Sequence, residues 1–170
     1  MNLKQHIRDI PDFPKPGILF RDITPLLYHQ ESFRYCVDAF AKKSEIISPD
    51  VIVGIESRGF IFGSALAYEM QLPFVPIRKE GKLPYSVREV KYDLEYGSGI
   101  LQIHSDVIKP SQRVVLVDDL VATGGTIQAS RALIEQLGGI VVGINTVVIL
   151  KDLCIPELLD DEVLFSLIDF

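Results

Sequence analysis

The sequence predicts an α/β domain with a central, mostly parallel sheet flanked by helices. Three observations predict it. Short apolar runs, rich in β-branched residues, recur along the chain: Val51 to Ile55, Phe74 to Ile77, Val114 to Val117 and Val141 to Ile149. Two of the intervals carry apolar residues at helical spacing, Phe60 to Met70 and Thr126 to Leu137. Strands apolar on both faces that alternate with helices belong to a parallel sheet covered on both sides. Third, Glu56, Arg78 and Asp118 each follow one of these runs. Ligands in such sheets bind beyond the carboxyl ends of the strands, so these three side chains could converge on one crevice.

The first fifty residues read as helical and looping. Pro11, Pro14, Pro16 and Gly17 punctuate an irregular segment. Thr24-Pro25 reads as an N-cap with Pro at the first helical position. Phe33, Val37, Phe40 and Ala41 then repeat at helical spacing. Residues 82–104 differ from the rest. Their alternation is loose, and they carry charges, tyrosines, Gly97 and Gly99. They read as a protruding hairpin or a long loop, and a segment of this kind in a compact domain is usually functional or disordered. The final twenty residues carry no usable motif.

Composition bounds the function. With 170 residues, 48% of them hydrophobic, the chain is expected to form one globular domain that buries roughly 70% of its unfolded surface. No apolar run reaches the ~20 residues that span a bilayer, and the first residues, MNLKQHIRDI, lack the apolar stretch of a signal peptide. A cytoplasmic protein without membrane partners is the expectation. Cys36 and Cys154 are far apart in apolar surroundings, with no CxxC, and the three histidines are scattered. That argues for reduced core thiols and against a zinc site. The net charge of −6 argues against a general nucleic-acid surface. A polyphosphate ligand remains compatible, because Arg78, Lys79 and Lys82 concentrate positive charge locally.

The most informative string is VVLVDDLVATGGT, Val114 to Thr126. The apolar strand is expected to end in two carboxylates, Asp118 and Asp119, which can accept hydrogen bonds from vicinal sugar hydroxyls. Gly124 and Gly125 open a helix. Glycines there bring bare backbone N–H groups and the positive end of the helix dipole against a phosphate. Thr123 and Thr126 add hydroxyl donors, and either could instead cap the helix. The acidic pair taken alone is equally well read as a capping device. The whole string describes a site for a sugar phosphate. Two other phosphate signatures are excluded. Gly54 and Gly59 have the spacing of a P-loop, but Phe60-Ile61 stand where Lys and Ser/Thr belong, and no GxGxxG occurs.

That string closely resembles the phosphoribosyl-diphosphate motif of type I phosphoribosyltransferases. Four further strings are similar to the adenine-specific branch of that family: FPKPGILFRDITPLL (Phe13 to Leu27), GIESRGFIFGSALA (Gly54 to Ala67), IRKEGKLP (Ile77 to Pro84) and LEYG (Leu94 to Gly97). The resemblance implies the type I phosphoribosyltransferase fold in a single domain over residues 1–170. Residues 1–34 would form a small N-terminal hood and residues 82–104 a long flexible catalytic loop. It implies transfer of phosphoribose from 5-phosphoribosyl diphosphate to adenine, giving AMP and diphosphate, in purine salvage. Magnesium is the implied cofactor, with no residue singled out as its ligand, and a homodimer the implied assembly.

The resemblance also implies roles. Asp118 and Asp119 would hold the ribose hydroxyls, while Ala122, Thr123, Gly124, Gly125 and Thr126 take the 5′-phosphate. Ser57 and Arg58, which alone read as an ordinary strand–helix turn, would form the pyrophosphate loop with Lys79 and Lys82 as partners. Glu95, beside Tyr96, would meet the imidazole edge of adenine as a general acid. Leu19, Phe20 and Arg21 would cover the base: Phe20 stacks on it and neighbouring backbone groups read its Watson–Crick edge. The alternative, less favoured reading of Phe20 is a core aromatic. Glu56 stands where the family commonly has Asp, a same-charge change. Two other readings use the same residues, an oxopurine phosphoribosyltransferase and a non-catalytic regulator that binds phosphoribosyl diphosphate. The hood and LEYG strings argue against the first. The presence of both Glu95 and Arg58 argues against the second.

Overall fold

The structure, a computed structural model, describes residues 1–94, 97–159 and 163–170. A 3₁₀ turn (Leu3–His6) precedes a two-stranded antiparallel hairpin of β1 (Arg8–Pro11) and β2 (Leu19–Asp22). Helices α1 (Thr24–Tyr28) and α2 (Gln30–Ile47) follow. The rest runs β3 (Val51–Ile55), α3 (Gly59–Met70), β4 (Phe74–Lys79), β5 (Val87–Leu94), β6 (Gly97–His104), β7 (Arg113–Val121), α4 (Gly125–Gln136), β8 (Ile140–Ile149), α5 (Pro156–Leu159) and β9 (Leu164–Asp169). The main sheet has seven strands in the order β5-β6-β4-β3-β7-β8-β9. Neighbours from β4 to β9 pair in parallel, and β5 and β6 add an antiparallel edge.

The apolar runs explain the layers. Val51, Val53 and Ile55 of β3 and Val114 and Leu116 of β7 join one core with Ile127, Leu133 and Ile134 of α4. The alternate residues, Ile52, Val115 and Val117, join a second core with Phe40 of α2 and Phe62 and Leu66 of α3. Period-two alternation thus feeds both faces of one sheet, as expected for strands that are apolar throughout. Cys36 and Cys154 are free and buried, and burial pushes the Cys36 thiol up to about 12. Among the described residues no helix is long and apolar enough to cross a membrane.

Three local expectations are corrected. The N-terminal fifty residues contain the β1–β2 hairpin as well as helices and loops. The prolines that mark its loop hide strands of four residues each, too short for a clear alternation. Helix α1 begins at Thr24 itself, the cap position is Ile23, and Asp22 Oδ1 accepts the Thr24 N–H at 2.9 Å. The final residues, which carry no motif, supply α5 and the edge strand β9. Of the two forms that the sequence left open, residues 87–94 and 97–104 take that of a hairpin's paired antiparallel strands, with Val87 opposite His104 and Lys91 opposite Ile100.

Candidate functional site

The site lies at the carboxyl ends of β3, β4 and β7. Strand β7 does not stop at Val117 as expected. It runs to Val121, paired with β8 throughout. On its other edge β3 pairs only with Val114 to Val117 and then turns away after Ile55. Asp118 and Asp119 therefore sit inside a strand, beyond the point where one neighbour has left. The space is taken by the start of α3. Gly59 fits there because a Cβ would lie 2.6 Å from the Val117 carbonyl oxygen and 3.0 Å from Asp118 Oδ1.

The acidic pair is nearly sealed: Asp118 is 8% and Asp119 4% exposed. Burial holds the Asp118 carboxyl well above the usual carboxylate range, and the Asp119 charge adds to the effect. Burial also raises Asp119, against the pull of Arg58. Asp118 Oδ1 accepts the Asp119 N–H at 2.9 Å. Asp119 Oδ2 lies 3.0 Å from Arg58 Nε as an ion pair, and this buried oxygen accepts no well-aligned hydrogen bond. Buried acceptors are ordinarily satisfied, so Asp119 is a candidate to receive a ligand hydroxyl.

Beyond the pair, Ala122 and Thr123 lead into α4, and Gly124 occupies the cap position with φ +95°. That backbone suits glycine, and a Cβ there would meet Leu158 Cδ2 at 2.8 Å. Thr123 Oγ1 reaches the Gly125 N–H at 3.5 Å, the limit of a hydrogen bond. Thr126 lies in the first turn, so neither threonine occupies the cap. The N-terminal N–H groups and the positive dipole end of this twelve-residue helix face the loop. Behind the loop, the Ile155 N–H donates to the Thr123 carbonyl at 3.2 Å.

A second group surrounds Glu56. Arg78 donates to both its oxygens, at 3.2 and 3.3 Å, and the Lys79 N–H donates at 3.0 Å. Burial would raise the Glu56 carboxyl, but the Lys79 N–H and Arg78, with a smaller pull from Lys82, outweigh it and hold it low. Arg78 Nη1 also meets the Lys82 carbonyl at 3.4 Å. With Arg78 so engaged, the exposed Lys79 and Lys82 present the cluster's remaining positive charge, next to exposed Ser57.

A cleft of about 770 Å³ adjoins these groups, and Leu19, Phe20, Arg21, Arg58 and Ala122 all line it. Phe20 is half-buried rather than a core aromatic. It stands edge-to-face with Phe13 at 5.2 Å, and the Arg58 guanidinium lies 5.6 Å from its ring centre. Arg58 thus joins the cleft to the acidic pair. Arg21 is ion-paired with Asp9. The sequence reading missed Leu120, Leu153 and Phe170, which also line the cleft. Leu120 was legible as the residue after the acidic pair. Leu153 is placed by the β8–β9 connection and Phe170 by the end of β9, neither of which has a motif. Glu95 and Tyr96 lie outside the described residues.

Among the described residues no three His, Cys, Asp or Glu side chains converge as a metal cage. Magnesium commonly uses one or two carboxylates, with water and substrate phosphates completing its shell. The two buried carboxylates of Asp118 and Asp119, one with an unsatisfied oxygen, fit that sparse donor set.

Comparison with known proteins supplies the family. The model of the phosphoribosyl transferase domain matches residues 23–165. The adenine phosphoribosyltransferase of Nostoc punctiforme is 51% identical over the full length of both chains. A crystal structure of adenine phosphoribosyltransferase from Thermoanaerobacter pseudethanolicus superposes with a TM-score of 0.93 at 49% identity, covering 99% of this chain and 98% of that one. The Saccharomyces cerevisiae adenine phosphoribosyltransferase, complexed with an imino-altritol bisphosphate and adenine, superposes with a TM-score of 0.90 at 38% identity, covering 98% and 96%.

Proposed function

The chain belongs to the adenine phosphoribosyltransferase family, and from that premise we propose that it transfers phosphoribose from 5-phosphoribosyl diphosphate to adenine, giving AMP and diphosphate in purine salvage. One observation carries this reading. Arg58 spans a cleft suited to a planar base and a buried acidic pair suited to ribose, 5.6 Å from the Phe20 ring and 3.0 Å from Asp119. The glycine turn that opens α4 stands directly beyond the pair.

In this reading adenine lies against Phe20, with Leu19 and Arg21 beside it. Asp118 and Asp119 accept the two ribose hydroxyls, which would supply the donor that Asp119 Oδ2 lacks. Residues Ala122 to Thr126 bind the 5′-phosphate through backbone N–H groups and hydroxyls. Ser57, Arg58, Lys79 and Lys82 face the diphosphate, whose bond to the anomeric carbon breaks as a ring nitrogen of adenine attacks. Positive charge grows on the sugar in that step, and two carboxylates in a water-poor site stabilise it. Glu95 serves proton transfer at the imidazole edge of the base, with Tyr96 beside it. A magnesium ion, when bound, would neutralise charge on the departing diphosphate. Residues 1–34 act as the hood, and the segment 82–104, which carries β5 and β6, closes over the substrates. A cytoplasmic homodimer is part of the same proposal, on family grounds.

The test is an assay of purified protein with each of four purine bases, 5-phosphoribosyl diphosphate and magnesium. Adenine should be converted to AMP only when both the sugar diphosphate and a divalent metal are present. Robust turnover of hypoxanthine or guanine, with none of adenine, would sink the assignment.

A further inference from the structure

Phe170 follows β9 and belongs to no motif. Its backbone is fixed on both sides. Its N–H donates to the Ile149 carbonyl at 2.9 Å, and its carbonyl accepts the Lys151 N–H at 2.8 Å. The Lys151 ammonium is held by Asp169 at 2.6 Å. The ring is thereby anchored to the main sheet, and it lines the same cleft as Phe20 and Arg58.

The Arg21 guanidinium lies over this ring, 3.9 Å from its centre. Arg21 is the residue after Phe20 on β2, and β2 pairs only with β1. An isolated two-stranded hairpin is at best marginally stable in water, so its position depends on what ties it to the larger sheet. Arg21 is such a tie, adjacent in sequence to the aromatic that faces the cleft. Asp9 holds the same guanidinium from within the hairpin and so fixes the side chain without fixing the hairpin to the sheet. Lys4 also approaches the Phe170 ring, at a longer 4.7 Å.

We infer that Phe170 is a positioning residue for the base: its ring, stacked with Arg21, sets where β2 and Phe20 stand over the cleft, and so the width of the slot offered to a planar heterocycle. This rests on the proposed function. Its signature is selectivity between the two substrates. A slot of the wrong width weakens adenine, whereas the sugar diphosphate is held in the proposed function at Asp118, Asp119 and the loop before α4, on β7 and α4 and not on the hairpin that Phe170 positions.

The experiment is steady-state kinetics on Phe170→Ala, Phe170→Leu, Phe170→Tyr and Lys4→Ala, varying adenine and sugar diphosphate separately, with thermal melts alongside. In Phe170→Ala and Phe170→Leu the KM for adenine should rise on the order of tenfold, the scale of a partly desolvated cation–π contact. The KM for the sugar diphosphate should stay within about twofold, which marks loss of base binding alone. Phe170→Tyr keeps the ring and should restore the wild-type KM. Lys4→Ala should leave both constants unchanged. Leucine preserves most of the apolar volume, so the inference stays testable if the alanine variant folds poorly. A wild-type adenine KM in Phe170→Leu, a parallel rise of both constants, or a Lys4→Ala protein that mimics Phe170→Ala would each overturn the inference. Absence of adenine turnover by the wild type would instead overturn the function on which it rests.

Discussion

Gly59→Ala adds one methyl group at the point where α3 meets β7. The new Cβ would sit 2.6 Å from the Val117 carbonyl oxygen, 3.0 Å from Asp118 Oδ1 and 3.1 Å from Asp118 Cα. Two of these atoms are backbone of a buried central strand and cannot swing aside. To reach an ordinary contact of 3.4 Å, the start of α3 must retreat by about 0.8 Å. Overpacking of this kind costs about 1–3 kcal/mol. Alanine's better helix propensity returns at most ~1 kcal/mol, and less in a first turn. The net loss should be about 1–2 kcal/mol, or a Tm fall of roughly 2–8 °C for a domain of this size. The displaced helix carries Arg58, whose Nε now lies 3.0 Å from Asp119. A misplacement near 1 Å can cost about 10²-fold, so kcat/KM should drop between roughly tenfold and that value. Thermal melts and steady-state kinetics measure the two effects separately. An unchanged Tm would refute the close packing. A lowered Tm with kcat/KM unaltered would refute the claim that the start of α3 positions Arg58.

Asp118→Asn should raise Tm near neutral pH while lowering kcat/KM. Its folded-state carboxyl titrates above the unfolded value of 3.8, so this group's contribution to stability falls as pH rises through that window, and the gain from the neutral amide should vanish in melts taken below it. Asp118→Asn combined with Asp119→Asn should keep the fold and nearly abolish turnover, and near-normal kcat/KM would return the pair to a capping role. Gly124→Ala forces a side chain onto φ +95° and into Leu158, so it should cost about 1–2 kcal/mol of stability and raise the KM for the sugar diphosphate more than that for adenine. Glu95→Gln should lower kcat by about 10²-fold, the lower end of general acid–base effects, and single-turnover rates within about twofold of wild type would exclude it as the proton-transfer group.

What the sequence made legible was local and repetitive. The runs around Val53, Leu116 and Ile144 specify buried strands because both of their faces meet apolar cores. The helix after Gly124-Gly125 follows from the same logic of period and punctuation. The end of β7 is not legible, because two carboxylates read as a strand stop. Pairing with β8 continues past them and satisfies the backbone that propensity would have released. The β1–β2 hairpin and β9 were invisible for a different reason. Their strands are four and six residues long, and only tertiary pairing makes them strands. Two cleft residues escaped with them: Leu153 reaches the site from the β8–β9 connection and Phe170 from the end of β9, whereas Arg58 and Phe20 sit in recognisable strings.

The acidic pair explains why stability and activity should move in opposite directions on one substitution. Removing Asp118 and Asp119 from water disfavours their charged forms, and their proximity adds repulsion. Arg58 relieves part of this without hydrogen-bonding Asp119 Oδ2. In the empty protein the pair is therefore a cost. A ribosyl group acquiring positive charge beside it reverses the sign, because the surroundings that penalise the isolated carboxylates also leave their attraction for that charge poorly screened. The relation is reciprocal: whatever the pair contributes to a cationic sugar, that sugar returns by favouring ionisation of the pair. A substrate hydroxyl would add the donor that Asp119 Oδ2 lacks. A rise in Tm together with a fall in kcat/KM for Asp118→Asn is then one physical statement measured twice. A variant that lost activity without gaining stability would show that Asp118 acts through the geometry of its hydrogen bonds and not through its charge.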